Sequence, residues 1–199
     1  HSINLRRAMV AHDGFKMLSI DYSGEELRIA TNFSKEPKWV NEFLYGTGDL
    51  HTITGKIITG KSEITKKERS LGKTVNFLTM YGGGAGGFAA QAKIPFEVAK
   101  KMILNFFKEY EGLNSWIKRE WKASRNRGYS KTMLGRRRPL QEFYSSSDKG
   151  IQSKGDRCAI NSAIQGTGAD VIKIALWRVY RWIKDNGLEA DVRILLPVH

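Results

Sequence analysis

The period of apolar and polar positions changes several times along the chain. Residues 15–21, FKMLSID, form a mostly apolar run that ends on Asp21 and predicts a strand. Helical spacing follows over 23–33, 36–45 and 49–59. The stretch TKKERSLGKTVNFLTMY predicts a helix over 65–81 that opens near Thr65. A glycine-rich segment, YGGGAGGF, reads as a loop, and helices are expected over 95–109 and 113–127. GYSKTMLGRRRPL predicts a hairpin turning near Leu134 and Gly135. A long helical stretch over 153–186 closes at Asn186-Gly187, and a second strand is expected over 192–198. A strand, many helices and a strand again suggest an α+β arrangement, with a helical insertion in a sheet-based base.

Composition narrows the class. With 199 residues, 41% hydrophobic and 27% charged, the sequence fits an ordinary soluble globular protein rather than a disordered one. No apolar run approaches the ~20 residues of a membrane span, and HSINLRRAMV lacks the apolar core of a signal peptide. A single cysteine, Cys158, excludes an internal disulfide framework and fits a reducing compartment. Lys and Arg exceed Asp and Glu by 33 to 20, a formal charge of +13 that favours a polyanionic partner. The start on His1 and the end on VRILLPVH read as those of an internal piece of a longer protein.

Four constellations carry chemistry. In MLSIDYSGEELR, Ser23 and Glu26 have the spacing of a capping box, and Glu25 suits the first turn of a helix. Asp21, at the end of a strand, has no such role. A hard divalent cation, a basic partner or open solvent can each satisfy it. On the helix over 65–81, Arg69, Lys73, Phe77 and Tyr81 recur every four residues, each step advancing ~40°. They form one stripe of two cations and two aromatics, suited to a triphosphate and to a sugar or base, or else to a solvated half and a core-packing half. Residues 118–138 hold nine Lys and Arg against one acid, Glu120, and predict phosphate contact. Arg157, Asn161 and Gln165 share a helix face and have the reach to test pairing geometry in a minor groove, or form a polar surface stripe. Gly82-x-Gly84-x-x-Gly87 matches a dinucleotide-binding fingerprint formally. It follows a helix instead of a strand, which excludes that reading.

These segments resemble, in order, the polymerase region of family A DNA polymerases, the DNA polymerase I type. DYSGEELR is similar to the family's first motif, DYSQIELR. RSLGKTVNFLTMYG is similar to R-x-x-x-K-x-x-x-F-x-x-x-Y-G, LGRRR and RCAINSAIQGTGADVIK to further segments, and the final PVH to the opening of V-H-D-E. The resemblance covers nearly the whole chain. It implies a right-hand polymerase fold, an antiparallel palm sheet with a largely helical fingers insertion, truncated at both ends. Residues 1–28 would be the first part of the palm, 29–155 the fingers, with the motif helix about 65–81, and 156–199 the second part of the palm.

Carried over by position, the resemblance implies that Asp21 binds both of two Mg²⁺ ions, which Mn²⁺ can replace, with the Tyr22 carbonyl assisting. Asp21 and Lys73 would be the catalytic residues. Arg69, Lys73 and His51 would hold the triphosphate of a dNTP, Phe77 its sugar and base, and Tyr81 the base of the fingers. Glu26 would exclude a 2′-hydroxyl. Arg157, Asn161, Gln165 and His199 would contact primer–template DNA. Departures occur at Gly24, Glu25, Glu68, Leu78 and Ala163. The implied function is template-directed DNA synthesis in replication or repair, by two-metal nucleotidyl transfer. The second carboxylate should follow His199, so the 199-residue chain alone is expected to be inactive. Cytoplasm, nucleoid, infected host cytoplasm or an organelle are the compatible locations, with no membrane partner and no oligomer implied. The alternatives are a single-subunit RNA polymerase, which Glu26 and Phe77 argue against, and a non-catalytic nucleic-acid-binding relative.

Overall fold

A computed structural model describes residues 10–197. Its helices are α1 (Glu25–Ser34), α2 (Pro37–Tyr45), α3 (Leu50–Thr59), α4 (Lys66–Met80), α5 (Ala85–Ala92), α6 (Phe96–Glu109) and α7 (Glu111–Arg127). The hairpin β1 (Tyr129–Lys131) and β2 (Arg137–Pro139) follows, then α8 (Gln141–Tyr144) and α9 (Lys149–Asp185). Among the described residues the fold is mostly helical with one small antiparallel sheet. Among the described residues no helix is long and apolar enough to cross a membrane.

Two expected strands do not form. Residues 15–21 and 192–197 have no strand structure, and position 198 lies outside the described residues. A strand needs a neighbour for its backbone N–H and C=O groups. The one sheet among the described residues is the hairpin, and it pairs with itself, Tyr129 opposite Pro139 and Lys131 opposite Arg137. Leu18 and Ile20 are accordingly 80% and 85% exposed.

Helix ends show how local chemistry sets the framework. The expected Ser23–Glu26 capping box is absent. The N-cap is Gly24, in the left-handed region at φ 63°, without a side-chain cap, and Glu26 is engaged elsewhere. At α4 the box does form: the Thr65 hydroxyl accepts from the Glu68 N–H at 3.2 Å, and Glu68 accepts from the Thr65 N–H at 2.8 Å. Glu36 is 2% exposed, yet it accepts from the Lys38 N–H at 3.2 Å and the Gly112 N–H at 2.8 Å. One buried carboxylate therefore serves the N-termini of both α2 and α7, where the helix dipoles favour its charge.

The core gathers around α3, α4 and α6. Trp39 and Phe106 pack edge-on against Tyr110, with centroids 5.4 Å and 5.0 Å away. Helix α3 meets α4 at Gly55 and Gly72, where backbone lies on backbone. The glycine-rich segment differs from its loop reading. Only 81–84 turn, with Gly82 at φ 70°, and Ala85–Ala92 is helical because Phe88, fully buried, anchors it.

Helix α9 runs for 37 residues, about 55 Å at 1.5 Å per residue. Its first half is core, through Ala159, Ile160, Ala163 and Ile164. Its second half exposes Trp177 and Trp182 by more than half. The hairpin lies on the first half, with Ser130 donating to the Ala159 carbonyl at 2.7 Å and the Met133 N–H donating to Thr167 Oγ1 at 3.1 Å.

Candidate nucleotide and nucleic-acid site

The stripe on α4 ends in a cleft between helices. Lys73, Thr74, Phe77, Leu78 and Tyr81 line it together with Gly83, Gln91 of α5 and Arg157 of α9, around about 430 Å³. Gly82 makes this meeting possible, because a Cβ there would lie 3.0 Å from Arg157 Cγ and 3.2 Å from its Cα. Lys73 Nζ stands 6.0 Å from the Phe77 ring, which is flanked by His51 at 5.7 Å and Tyr81 at 6.2 Å. The exposed cations and half-buried rings give one cleft both positive charge and stacking faces.

Tyr81, which caps the end of α4, joins it to α1. Its hydroxyl donates to the Glu26 carboxylate of α1. Burial, and then the Glu26 carboxylate, push the phenol up to about 12. Glu26 and Tyr81, 55 positions apart in sequence, thus form one polar contact at the base of α4.

At the other end, Arg69 donates to Asp49 through Nε and Nη2, both at 3.0 Å. Asp49 also caps α3, accepting from the Thr52 N–H at 3.3 Å. The Arg69 guanidinium holds the Asp49 carboxyl at about 2, below its ordinary 3.8. A depressed carboxylate contributes stability that is present above its unfolded value and lost as pH falls through the folded one. Asp49→Asn is therefore expected to flatten the acid limb of the stability curve between pH 3.8 and about 2, as read by urea unfolding at stepped pH. An unchanged limb would show that the pair contributes nothing in solution.

The remaining expected residues are placed less closely. Asp21 is exposed and Tyr22 is 50% exposed, on the segment before α1. Among the described residues no group of three or more His, Cys, Asp and Glu gathers to hold a metal. The donors present at Asp21 and Tyr22 are a carboxylate and a carbonyl, hard oxygens that match Mg²⁺ in kind. Arg157 donates to Ser153 Oγ at 3.0 Å, and Asn161 Oδ1 is buried without a partner among the described residues. His199 lies outside them.

The basic run 118–138 is largely spoken for. Arg125 pairs with Asp156, Arg127 with Glu120, and Arg136 with Asp170 at 2.8 Å while donating to the Gly166 carbonyl at 2.7 Å. Burial raises the Asp170 carboxyl, but the Thr132 hydroxyl and Arg136 outweigh it and hold it below its ordinary value. Arg138 donates to Ser162 Oγ at 3.1 Å, and Arg137 stacks on Tyr129 at 4.7 Å. Arg125, Arg127 and Arg136 each have a protein carboxylate as partner, and the Arg125 and Arg136 side chains stay 51% exposed. Sequence reasoning also passed over Asp49, Asn76 and Gln91. Asp49 sits beside His51, so the acid two residues before an expected phosphate contact was the available signal.

The sequence profile of DNA polymerase family A matches residues 1–199. The chain is 34% identical over 197 residues to DNA polymerase I of Chloroflexus aurantiacus and 31% to the thermostable DNA polymerase I of Thermus aquaticus. Both alignments cover 98% of this chain, which spans only 20% and 23% of those proteins. The POL domain of Pol1 from M. smegmatis, solved in complex with DNA primer-template and dNTP, superposes with a TM-score of 0.79 at 34% identity. That match covers 85% of this chain and 30% of the other. The chain belongs to DNA polymerase family A.

Proposed function

We propose that this chain forms the nucleotide-selecting and template-holding part of a DNA-directed DNA polymerase. Residues 1–28 and 156–199 serve as palm and 29–155 as fingers. The observation that carries the reading is the cleft in which Lys73 and Phe77 of α4 and its C-cap Tyr81 face Arg157 of α9. A dNTP entering there places its phosphates toward Arg69, Lys73 and His51 and its sugar and base on Phe77. Glu26, held by Tyr81, stands at the sugar and disfavours a 2′-hydroxyl, which supports dNTPs over rNTPs. Arg157, Asn161 and Gln165 lie along the first half of α9, and their side-chain N–H groups are of the kind that donate to the acceptors of a minor groove.

In the reaction the primer 3′-oxygen forms a bond to the α-phosphorus and pyrophosphate leaves. Lys73 and Arg69 stabilise the charge that grows on the leaving group. Asp21 and the Tyr22 carbonyl would hold Mg²⁺, which supplies charge neutralisation at the attacking and leaving oxygens.

Primer extension by the full-length protein that carries this sequence tests the reading. DNA synthesis that rejects rNTPs and is lost in Asp21→Asn, with primer–template affinity retained, is the expected result. Efficient rNTP use would indicate an RNA polymerase, and binding without synthesis in the wild type a non-catalytic relative.

A further inference from the structure

A polar network inside the core ends on one ring nitrogen of His51. Asn76 is fully buried on α4, one residue before Phe77, and its amide turns toward α3. Amide nitrogen Nδ2 lies 3.4 Å from the Leu50 carbonyl, which can only accept, so the amide orientation is settled. On the other side Thr54 Oγ1 donates to Asn76 Oδ1 at 2.9 Å. With its one proton committed there, Thr54 accepts from the Tyr110 hydroxyl at 3.2 Å. Thr54 and Tyr110 are also fully buried, so no water competes for these bonds.

The far end of this chain is Asn76 Nδ2, 3.1 Å from His51 Nδ1. An amide nitrogen has only protons to offer, so Nδ1 must accept and carry none. Burial, and then the charges of Arg69 and Lys73, lower the His51 pKa and favour the neutral ring, while Asp49 opposes them. A neutral imidazole with a bare Nδ1 bears its proton on Nε2. We infer that Asn76 is a positioning residue that holds His51 as the Nε2–H tautomer, so that His51 donates a hydrogen bond to the phosphates of the incoming nucleotide. This rests on the reading of His51 as a triphosphate contact. Thr54 and Tyr110 act through Asn76 by fixing its amide.

A role confined to core packing would leave the His51 proton where it is, and the tautomer separates the two roles. Nitrogen-15 NMR of the labelled chain, with His51 assigned by its loss in His51→Ala, should show the proton on Nε2. In Asn76→Asp an acceptor replaces the donor, so the proton is expected to move to Nδ1 and leave Nε2 without one. Affinity for dATP, titrated on the same chain, should fall about tenfold, the scale of one hydrogen bond to a charged group. In a His51→Ala background the same substitution should cost nothing further. Wild-type His51 protonated at Nδ1 would overturn the inference even if Asn76→Asp failed to fold. Unchanged dATP affinity in Asn76→Asp, with affinity lost in His51→Ala, would overturn the positioning role alone. Unchanged affinity in both would overturn the assignment of His51 to the triphosphate.

Discussion

Gly72→Ala is expected to destabilise the chain by about 3 kcal/mol, at the upper end of overpacking costs. Helix propensity alone predicts the opposite sign, because alanine is favoured over glycine within a helix by ~1 kcal/mol. The surroundings decide. A Cβ on Gly72 would collide with the His51 carbonyl oxygen and lie 2.6 Å from the Gly55 nitrogen. These are backbone atoms of α3, which cannot rotate aside as a side chain can. Helices α3 and α4 would have to separate, disturbing the packing around Thr54 and Asn76. Gly86→Ala in α5 is the control, since a Cβ there meets nothing within 4 Å and the propensity gain of ~0.5–1 kcal/mol should appear unopposed. Urea unfolding of both variants reads the pair. Equal shifts in the same direction would mean that the α3–α4 crossing is looser than described.

Lys73→Ala is expected to slow single-nucleotide incorporation by the full-length protein about 10²- to 10³-fold, the usual cost of removing one preorganised charge from a reacting phosphate. Lys73 is exposed, so its removal takes nothing from the core and melting should be unchanged. The loss should fall on the rate at saturating dNTP, because charge on pyrophosphate grows toward the transition state. Lys73→Arg should recover part of it, since charge returns in a different geometry. A rate within a few-fold of wild type in Lys73→Ala would remove Lys73 from the chemistry and leave it a surface cation beside Phe77.

Much of this was legible in the residues. Helical spacing located α1 through α4, α6 and α7, and the turn at Gly135 located the hairpin, because period and turn chemistry are local properties. Helix α5 was not legible. A glycine-rich octet has poor helix propensity, and only the burial of Phe88 against distant partners decides its state. The carboxylate partners of the arginines in and before the hairpin were not legible for a related reason. A count within 118–138 sees one acid, whereas Asp156 and Asp170 arrive from α9. Glu26 had a plausible local partner in Ser23 and a real one in Tyr81, 55 residues on. Within the cleft, identities were readable from the four-residue rhythm of α4. The facing residues Arg157 and Gln91 were set together by the packing.

Glu36 has a consequence for how the chain assembles. Its carboxylate closes a contact with the Gly112 N–H across 76 positions of sequence, so the start of α7 is completed by a group that belongs to α2. A cap supplied from so far away is available only after the intervening α3–α6 segment has collapsed and its loop entropy has been lost. Until then Glu36 serves α2 alone, and the first turn of α7 frays. The start of α7 is therefore finished after that of α2, and partial unfolding at either is felt at the other. Glu36 thus adds a polar link between two helices that the apolar core also joins.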